Sequence, residues 1–170
     1  MTGEEIVKQA WDSVERFGKC RKFGGAATVE IVRQGLREEG ISTSARDVFV
    51  NGVPVEIDVI VPRRGAKPSL GEILYEPSEV AVALEIKKSG SYGEKSLKST
   101  RDNFKLLAET GVRCAYVTLE ERQTYLYKGT EANLGAPCFT LHWHQPESEP
   151  FRATEDWDRL VEFIRQQVAA

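Results

Sequence analysis

The sequence predicts an α/β fold in which helices flank a central mixed sheet. Apolar residues recur at helical spacing in some segments, and in others they alternate or run without interruption, as they do in strands. These segments follow one another as helix, helix, hairpin, strand, helix and strand, and a further strand and helix close the chain. Because 170 residues with 41% hydrophobic side chains suit one core, we expect a single domain spanning residues 1–170.

The composition excludes several classes of protein. The 23 basic and 26 acidic side chains leave a net charge of −3, so any contact with nucleic acid needs a local basic patch. No apolar run approaches the roughly 18 residues of a membrane span, and the start at Glu4 and Glu5 is acidic, so we expect a cytoplasmic protein without a membrane partner. Cys20, Cys114 and Cys138 are widely spaced and odd in number, which predicts reduced structural thiols.

Two helices are predicted before residue 41. The first begins with acidic residues, which the helix dipole favours, and ends near Gly18. The second is expected to follow a break at 23–25, Phe-Gly-Gly, and to end at Gly40 as its C-terminal cap. Apolar side chains give each helix a buried face: Ile6, Ala10, Val14 and Phe17 in the first, and Val29, Val32 and Leu36 in the second.

The middle of the chain is predicted to form strands. Asn51-Gly52 separates two alternating apolar runs, which is a strong hairpin signal. The stretch 62–77 contains Pro, Gly and basic residues, and it fits either a loop that moves on binding a partner or a plain linker. A third strand is expected from Glu79 to Lys88.

The remaining elements alternate between helix and strand. A long helix is expected to end at Gly111, followed by a buried strand at 112–119. Two shorter strands are predicted at 124–127 and 139–143. Thr154 is predicted to cap the last helix, whose buried positions recur at helical spacing: Trp157, Leu160, Val161, Ile164 and Val168.

Charged residues interrupt two of the predicted apolar strands. Glu85 and Lys87 follow an apolar run, and the period of two in a strand places both on one face. Asp58 lies among β-branched residues of the preceding strand, where Glu56 shares its face and is an alternative to it. Burying such charges is costly unless they are paired or bind a metal. A strand-end ion pair is the structural interpretation of this pattern, and a metal site is the functional one.

Two acids on neighbouring strands can share one divalent cation. Mg²⁺ prefers carboxylate and carbonyl oxygens and keeps several waters, so Asp58, Glu85 and the Ile86 carbonyl are candidate ligands. Lys87 would then hold or deprotonate an attacking water and stabilise negative charge on a phosphate, while the metal lowers the pKa of the water. These residues suit the hydrolysis of a phosphodiester, in DNA or in RNA.

These residues and their order resemble the PD-(D/E)xK nuclease superfamily. The match runs from about 25 to 119, the expected core, and its Mrr-like and Holliday-junction-resolvase-like branches are the most similar. Glu85-Ile86-Lys87 fits the ExK element, and Asp58 fits the acid on the second hairpin strand. Glu30 fits the helical glutamate of many members, whereas Ile57 stands where the family name has a proline.

The resemblance implies a restriction-endonuclease-like fold, extended by a C-terminal strand and helix, and a Mg²⁺-dependent endonuclease acting on DNA. Mn²⁺ would substitute for Mg²⁺. The implied catalytic set is Asp58, Glu85, Lys87 and Glu30, and cutting both strands of a duplex favours a homodimer. The alternative is a nuclease fold without catalysis that binds nucleic acid or a protein partner within a defence, phage or repair assembly.

Two groups of charged residues have a functional and a structural interpretation. Glu30 either supports the metal or forms an ordinary solvated surface with Arg33, Gln34 and Arg37. The predicted contacts to nucleic acid surround or follow the ExK strand: Lys88, Tyr92, Lys95, Lys98 and Lys105. A charged helix face is equally typical of plain solvent exposure.

Overall fold

A computed structural model describes residues 1–17, 21–89, 94–122, 130–144 and 154–170 of the chain. The helices are α1 (Gly3–Phe17), α2 (Arg21–Glu38), α3 (Glu94–Glu109), α4 (Thr130–Leu134) and α5 (Asp156–Ala169). The strands are β1 (Arg46–Val50), β2 (Val53–Pro62), β3 (Leu74–Tyr75), β4 (Val80–Ser89), β5 (Cys114–Arg122), β6 (Cys138–Thr140) and β7 (Trp143–His144). The strand predicted at 124–127 lies outside the described residues. None of the described helices is long and apolar enough to cross a membrane.

The strands form a mixed sheet in the order β3-β1-β2-β4-β5-β6, and β7 also pairs with β5. The hairpin strands β1 and β2 are antiparallel, as are β2 and β4, whereas β4, β5 and β6 run parallel. This arrangement confirms the predicted α/β class. The C-terminal addition is also present, because β6 extends the sheet and α5 packs against it.

Helices cover both faces of the sheet. On one face α1, α2 and α5 bury an apolar cluster that includes Leu36, Trp157 and Leu84. On the other face α3 and α4 bury a second cluster, which includes Phe104 and Ala83. Val82 and Leu84 enter the first cluster and Ala83 enters the second, because β4 is covered on both sides, and this makes β4 the central strand of the core.

The second helix is longer than the sequence predicts. It begins at Arg21 and continues through the glycine pair, so the break expected at 23–25 was wrong. The Thr28 hydroxyl donates to the Gly24 carbonyl at 2.8 Å within this first part of the helix. Gly40 does end the helix as predicted, with a φ of +77°. The Ile41 amide returns to the Leu36 carbonyl at 2.9 Å, which completes a Schellman-type cap.

The stretch 62–77 is tied to the sheet rather than being a plain linker. Its strand β3 pairs in parallel with β1, and the Asn51 amide donates to the Tyr75 carbonyl at 2.8 Å. The Tyr75 side chain is buried in the core on the α3 side. At the other end of the chain, Thr154 accepts from the Asp156 amide at 3.1 Å, but the N-cap of α5 is Glu155, so the predicted capping position was one residue too early. Val168 is 39% exposed, although it was predicted to be buried.

One glycine fixes how closely the helices on the first face approach one another. A Cβ atom at Gly35 in α2 would lie 2.9 Å from Ile6 Cδ1 in α1 and 2.9 Å from Trp157 Cη2 in α5. The isoleucine tip can rotate, but the indole ring is rigid and buried. The contact between α2 and α5 therefore requires a residue without a side chain at this position.

We expect Gly35→Ala to lower the free energy of unfolding by about 1–2 kcal/mol, because overpacking costs about 1–3 kcal/mol and alanine returns up to about 1 kcal/mol of helix propensity. Urea unfolding monitored by circular dichroism measures the change. Gly25→Ala in the same helix is the matched control, since nothing lies within 4 Å of its added Cβ. It should stabilise by about 0.5–1 kcal/mol. Equal effects of the two substitutions would contradict the packing argument.

Candidate active site

The candidate site lies where β2 and β4 stop pairing. Their register runs from Pro62–Val80 to Val59–Leu84, and the next two residues are Asp58 and Glu85. Asp58 Oδ2 accepts a hydrogen bond of 2.7 Å from the Ile86 amide. The carboxylate thus takes the place of a strand partner for β4 and is fixed against its backbone.

Lys87 joins the two carboxylates. Its Nζ lies 2.5 Å from Glu85 Oε1 and 3.7 Å from Asp58 Oδ2. The side chains are 39% exposed for Lys87, 23% for Asp58 and 18% for Glu85, so the cluster is half-buried with its lysine toward solvent. Glu85 and Lys87 share one face of β4, as the sequence predicts.

The electrostatics of the cluster are unfavourable for Glu85. Burial raises the pKa of its carboxyl group, and the charge of Asp58 raises it further, while Lys87 opposes both effects without reversing them. Burial alone would lower the pKa of Lys87, but Glu85 and Asp58 outweigh it, and the pKa is raised. Lys87 is therefore protonated at neutral pH, whereas the ionised form of Glu85 is less favoured in the folded protein than in the unfolded chain.

The donor set suits a hard divalent cation. Two carboxylates approach the same ammonium group, so a positive charge already occupies the space beside both of them. The described residues contain no group of three or more His, Cys, Asp or Glu side chains placed to hold a metal. Two carboxylates and a backbone carbonyl match Mg²⁺ better than zinc, because Mg²⁺ retains several waters.

Two further acids, Glu30 and Glu56, were sequence-based candidates for this site. Glu30 is half-exposed on α2 and pairs with the buried guanidinium of Arg33 one turn further along. The structure does not place it in a three-carboxylate group with Asp58 and Glu85, and its role stays a prediction. Glu56 is exposed and acts on Glu85 only as the weakest of several charges. Of the two alternatives on β2, Asp58 is the one that contacts β4.

The predicted nucleic-acid contacts fall on β4 and α3. Lys88 is half-buried beside Lys87 at the end of β4. On α3, Lys98 is 65% exposed and pairs with Asp102 at 3.0 Å, and Lys105 is exposed. Lys95 lies in the first turn of α3. Tyr92 lies outside the described residues.

Two of the three cysteines are inert thiols. Cys114 and Cys138 are buried free cysteines. Burial raises the pKa of each to about 12, and for Cys138 the charges of Glu131 and Asp156 act in the same direction. Both remain protonated at neutral pH, as expected of structural thiols. Cys20 lies outside the described residues.

A cavity at the far end of β2 was not predicted from the sequence. It has a volume of about 650 Å³, and Arg63, Arg64 and Arg165 lie in its wall with the acids Glu39 and Glu72. These residues come from the end of α2, the stretch after β2 and the last turns of α5. They are too far apart in the chain to form a motif, so no local signal could have found them.

Two solved structures share the fold of this chain. NucC of P. aeruginosa ATCC27853, in its cAAA-bound form, matches with a TM-score of 0.68 at 12% identity, covering 97% of this chain and 88% of NucC. The apo form of NucC from E. coli MS115-1 matches with a TM-score of 0.53 at 13% identity, covering 99% and 90%. No family model and no curated protein matches the chain. These matches show a shared fold, in keeping with the fold class that the sequence predicts.

We expect Glu85→Gln to stabilise the metal-free protein at pH 7 by about 0.5–2 kcal/mol, the usual gain when a residue that costs stability is replaced. Because the pKa of Glu85 is raised in the folded state, its ionised form destabilises the fold above the unfolded pKa. The gain should therefore vanish as the pH falls below about 4. Thermal unfolding in EDTA at several pH values measures it.

Glu79→Gln is the control of opposite sign. Hydrogen bonds from the Lys67 and Glu76 amides lower the pKa of Glu79, so its ionised form is favoured by the fold. This substitution should give no gain at pH 7. A loss of stability in Glu85→Gln would show that the Lys87 ion pair outweighs burial.

Proposed function

We propose that this chain is a divalent-metal-dependent endonuclease that hydrolyses phosphodiester bonds in DNA. The observation that carries the proposal is the convergence of Asp58, Glu85 and Lys87 at the open end of the β2–β4 pair in a nuclease fold. If Glu85 and Lys87 formed only a structural ion pair, the pair would not require Asp58 beside it, and Asp58 raises the pKa of Glu85.

The metal would be held by the carboxylates of Asp58 and Glu85 and the carbonyl of Ile86. Mg²⁺ or Mn²⁺ bound there supplies a Lewis acid that polarises the phosphoryl oxygen and lowers the pKa of water. Asp58 is oriented for this task before any ligand arrives, because its second role as acceptor from the Ile86 amide fixes its carboxylate.

Lys87 has a different role from the two acids. Its ammonium group now occupies the oxygen of Glu85 that a metal would share, so it competes with the cation for that carboxylate. Once displaced, it remains a hydrogen-bond donor that can orient the attacking water and stabilise charge on the phosphate. In the metal-free protein Glu85 and Asp58 raise the pKa of Lys87, so the side chain starts as an ammonium donor.

DNA is the proposed substrate because α3, which begins shortly after the site, carries exposed lysines. Lys98 and Lys105 can contact phosphates, together with Lys88 and Lys95, and Tyr92 can stack on a base. Such contacts add affinity that falls as salt rises. A homodimer would supply two sites for the two strands of a duplex.

The first experiment incubates the purified protein with supercoiled, linear and single-stranded DNA and with RNA. Each substrate is tested with Mg²⁺, with Mn²⁺ and with EDTA, in the presence and absence of cAAA, because one NucC structure is a cAAA-bound form. DNA cleavage that EDTA abolishes supports the proposal. Binding of DNA in EDTA without cleavage under any condition would favour the alternative, a nuclease fold that binds without catalysis.

We expect Lys87→Met to separate metal binding from cleavage. Removing the competing ammonium should leave Mn²⁺ affinity, measured by calorimetry, equal or tighter, while cleavage falls by about 10²–10³-fold. Asp58→Asn should weaken Mn²⁺ binding and abolish cleavage together. Lys8→Met, at an exposed position of α1, is the control that should change neither. Loss of Mn²⁺ binding in Lys87→Met would refute the competition.

We further infer that the arginine-lined cavity is a second site, for an anionic, phosphate-bearing ligand. Arginine presents a fork of donors that matches phosphate oxygens, and three arginines line this wall. Arg165 donates hydrogen bonds to the backbone carbonyl of Glu39 at 3.0 Å and to the Glu39 carboxylate at 3.2 Å. These bonds orient its guanidinium group. Arg63 donates to the Gln167 carbonyl at 3.4 Å, which links the end of β2 to α5.

This cavity lies at the C-terminal end of β2, and Asp58 lies near the middle of the same strand. Arg63 follows Asp58 by five residues, or roughly 16 Å along a strand. A ligand in the cavity would therefore act on the same strand that holds the catalytic acid. NucC of P. aeruginosa is described in a cAAA-bound form, so cAAA is the first ligand to test here.

We expect Arg63→Gln and Arg165→Gln each to weaken cAAA binding at least about tenfold, since a charge-assisted hydrogen bond contributes about 1.5–3 kcal/mol. Calorimetry measures the affinity, with pyrophosphate as a general anion. Arg159→Gln is the control, because Arg159 is an exposed arginine near the start of α5 that pairs with Asp156. Binding that is absent, or is equal in all variants, would overturn the second site.

A further inference from the structure

A row of buried hydroxyl groups adjoins Lys87. The register pairs Lys87 with Thr118 on β5, and Thr118 with Thr140 on β6. Register partners on neighbouring strands point to the same face and stand about 4.8 Å apart. Thr118 and Thr140 are 0% and 1% exposed, and their hydroxyl oxygens are 3.0 Å apart. The row therefore connects the half-exposed lysine to the interior of the sheet.

Packing alone does not explain these hydroxyl groups. Two valines would fill the same volume, and replacing both partners of a buried hydrogen bond by apolar groups is nearly neutral for stability. Their neighbours on the same face, Tyr116 and Cys138, belong to an apolar cluster. The hydroxyl pair thus places polarity beside the one lysine of the candidate site.

Thr140 is anchored from the side away from Lys87. Its amide donates to Asp156 Oδ2 at 2.8 Å, and its carbonyl accepts from the Thr154 hydroxyl. Both partners belong to the start of α5 and the residues before it. Because Thr140 is held in this way, its hydroxyl can hold that of Thr118 in one orientation.

We propose that Thr118 is a positioning residue for Lys87. The inference rests on the proposed function, in which Lys87 must leave Glu85 when a cation takes that carboxylate. A threonine oxygen can bond a second hydroxyl and still accept from an ammonium group. Thr118 gives the displaced lysine a polar neighbour on the sheet and keeps it from moving freely into solvent.

The kinetic test uses isosteric variants. Thr118→Val should lower kcat for DNA cleavage about five- to tenfold, the effect of one lost hydrogen bond, with KM and Mn²⁺ affinity unchanged. Thr118→Ser should restore kcat, because it keeps the hydroxyl. Thr28→Val is the matched control, since it removes an equally buried hydroxyl from α2. An unchanged kcat in Thr118→Val, or no rescue by serine, would overturn the proposal.

A second measurement does not depend on cleavage. In metal-free Glu85→Gln protein the lysine has lost its strongest ion pair, which imitates its displacement. NMR relaxation of ¹³Cε-labelled lysine, assigned with Lys87→Arg, then reports the mobility of Lys87. Adding Thr118→Val should make Lys87 markedly more mobile, whereas adding Thr28→Val should not. Equal mobility would refute the positioning role even if the wild-type protein cleaves DNA, and a clear difference would support it even if the protein cleaves nothing.

Discussion

The hydrogen bond from the Ile86 amide to the Asp58 carboxylate is the interaction on which the candidate site depends. It lies where β2 and β4 part, so without it a half-buried amide of the central strand would lack this partner, at a cost of about 1–3 kcal/mol. The same bond holds Asp58 beside the backbone that carries Glu85 and Lys87. Three charges from two strands thus share one fixed geometry at the end of the β2–β4 pair.

The sequence predicted which charges of β2 and β4 lie together, but it did not predict what surrounds them. Glu85 and Lys87 were found because they interrupt an apolar strand, and this signal is local. Glu30 shows the limit of such signals, because helical spacing cannot say whether a surface glutamate faces a metal or pairs with Arg33. The continuation of α2 through Gly24 was not predicted, because tertiary context outweighs the low helix propensity of glycine.

Features built from distant segments left no trace in the sequence. The strand β3 is only two residues long, and it exists because β1 offers it backbone partners. The cavity joins Arg63 to Arg165, and the hydroxyl row joins Thr118 to Thr140, so each depends on the register and packing of the finished sheet. Contacts of this kind produce no periodicity or characteristic spacing in the sequence, so they cannot be predicted from it.

The burial pattern of β4 determines which of its residues can change during evolution without loss of the fold. The strand is buried on both faces up to Leu84 and acquires its charges only at its half-exposed end, so the folding core and the acids are physically separate. Replacing Glu85 by a neutral residue leaves that core intact and relieves an electrostatic cost. If the proposed cleavage were no longer under selection, Glu85 would be one of the first site residues to change, and the buried part of β4 would be retained with the fold.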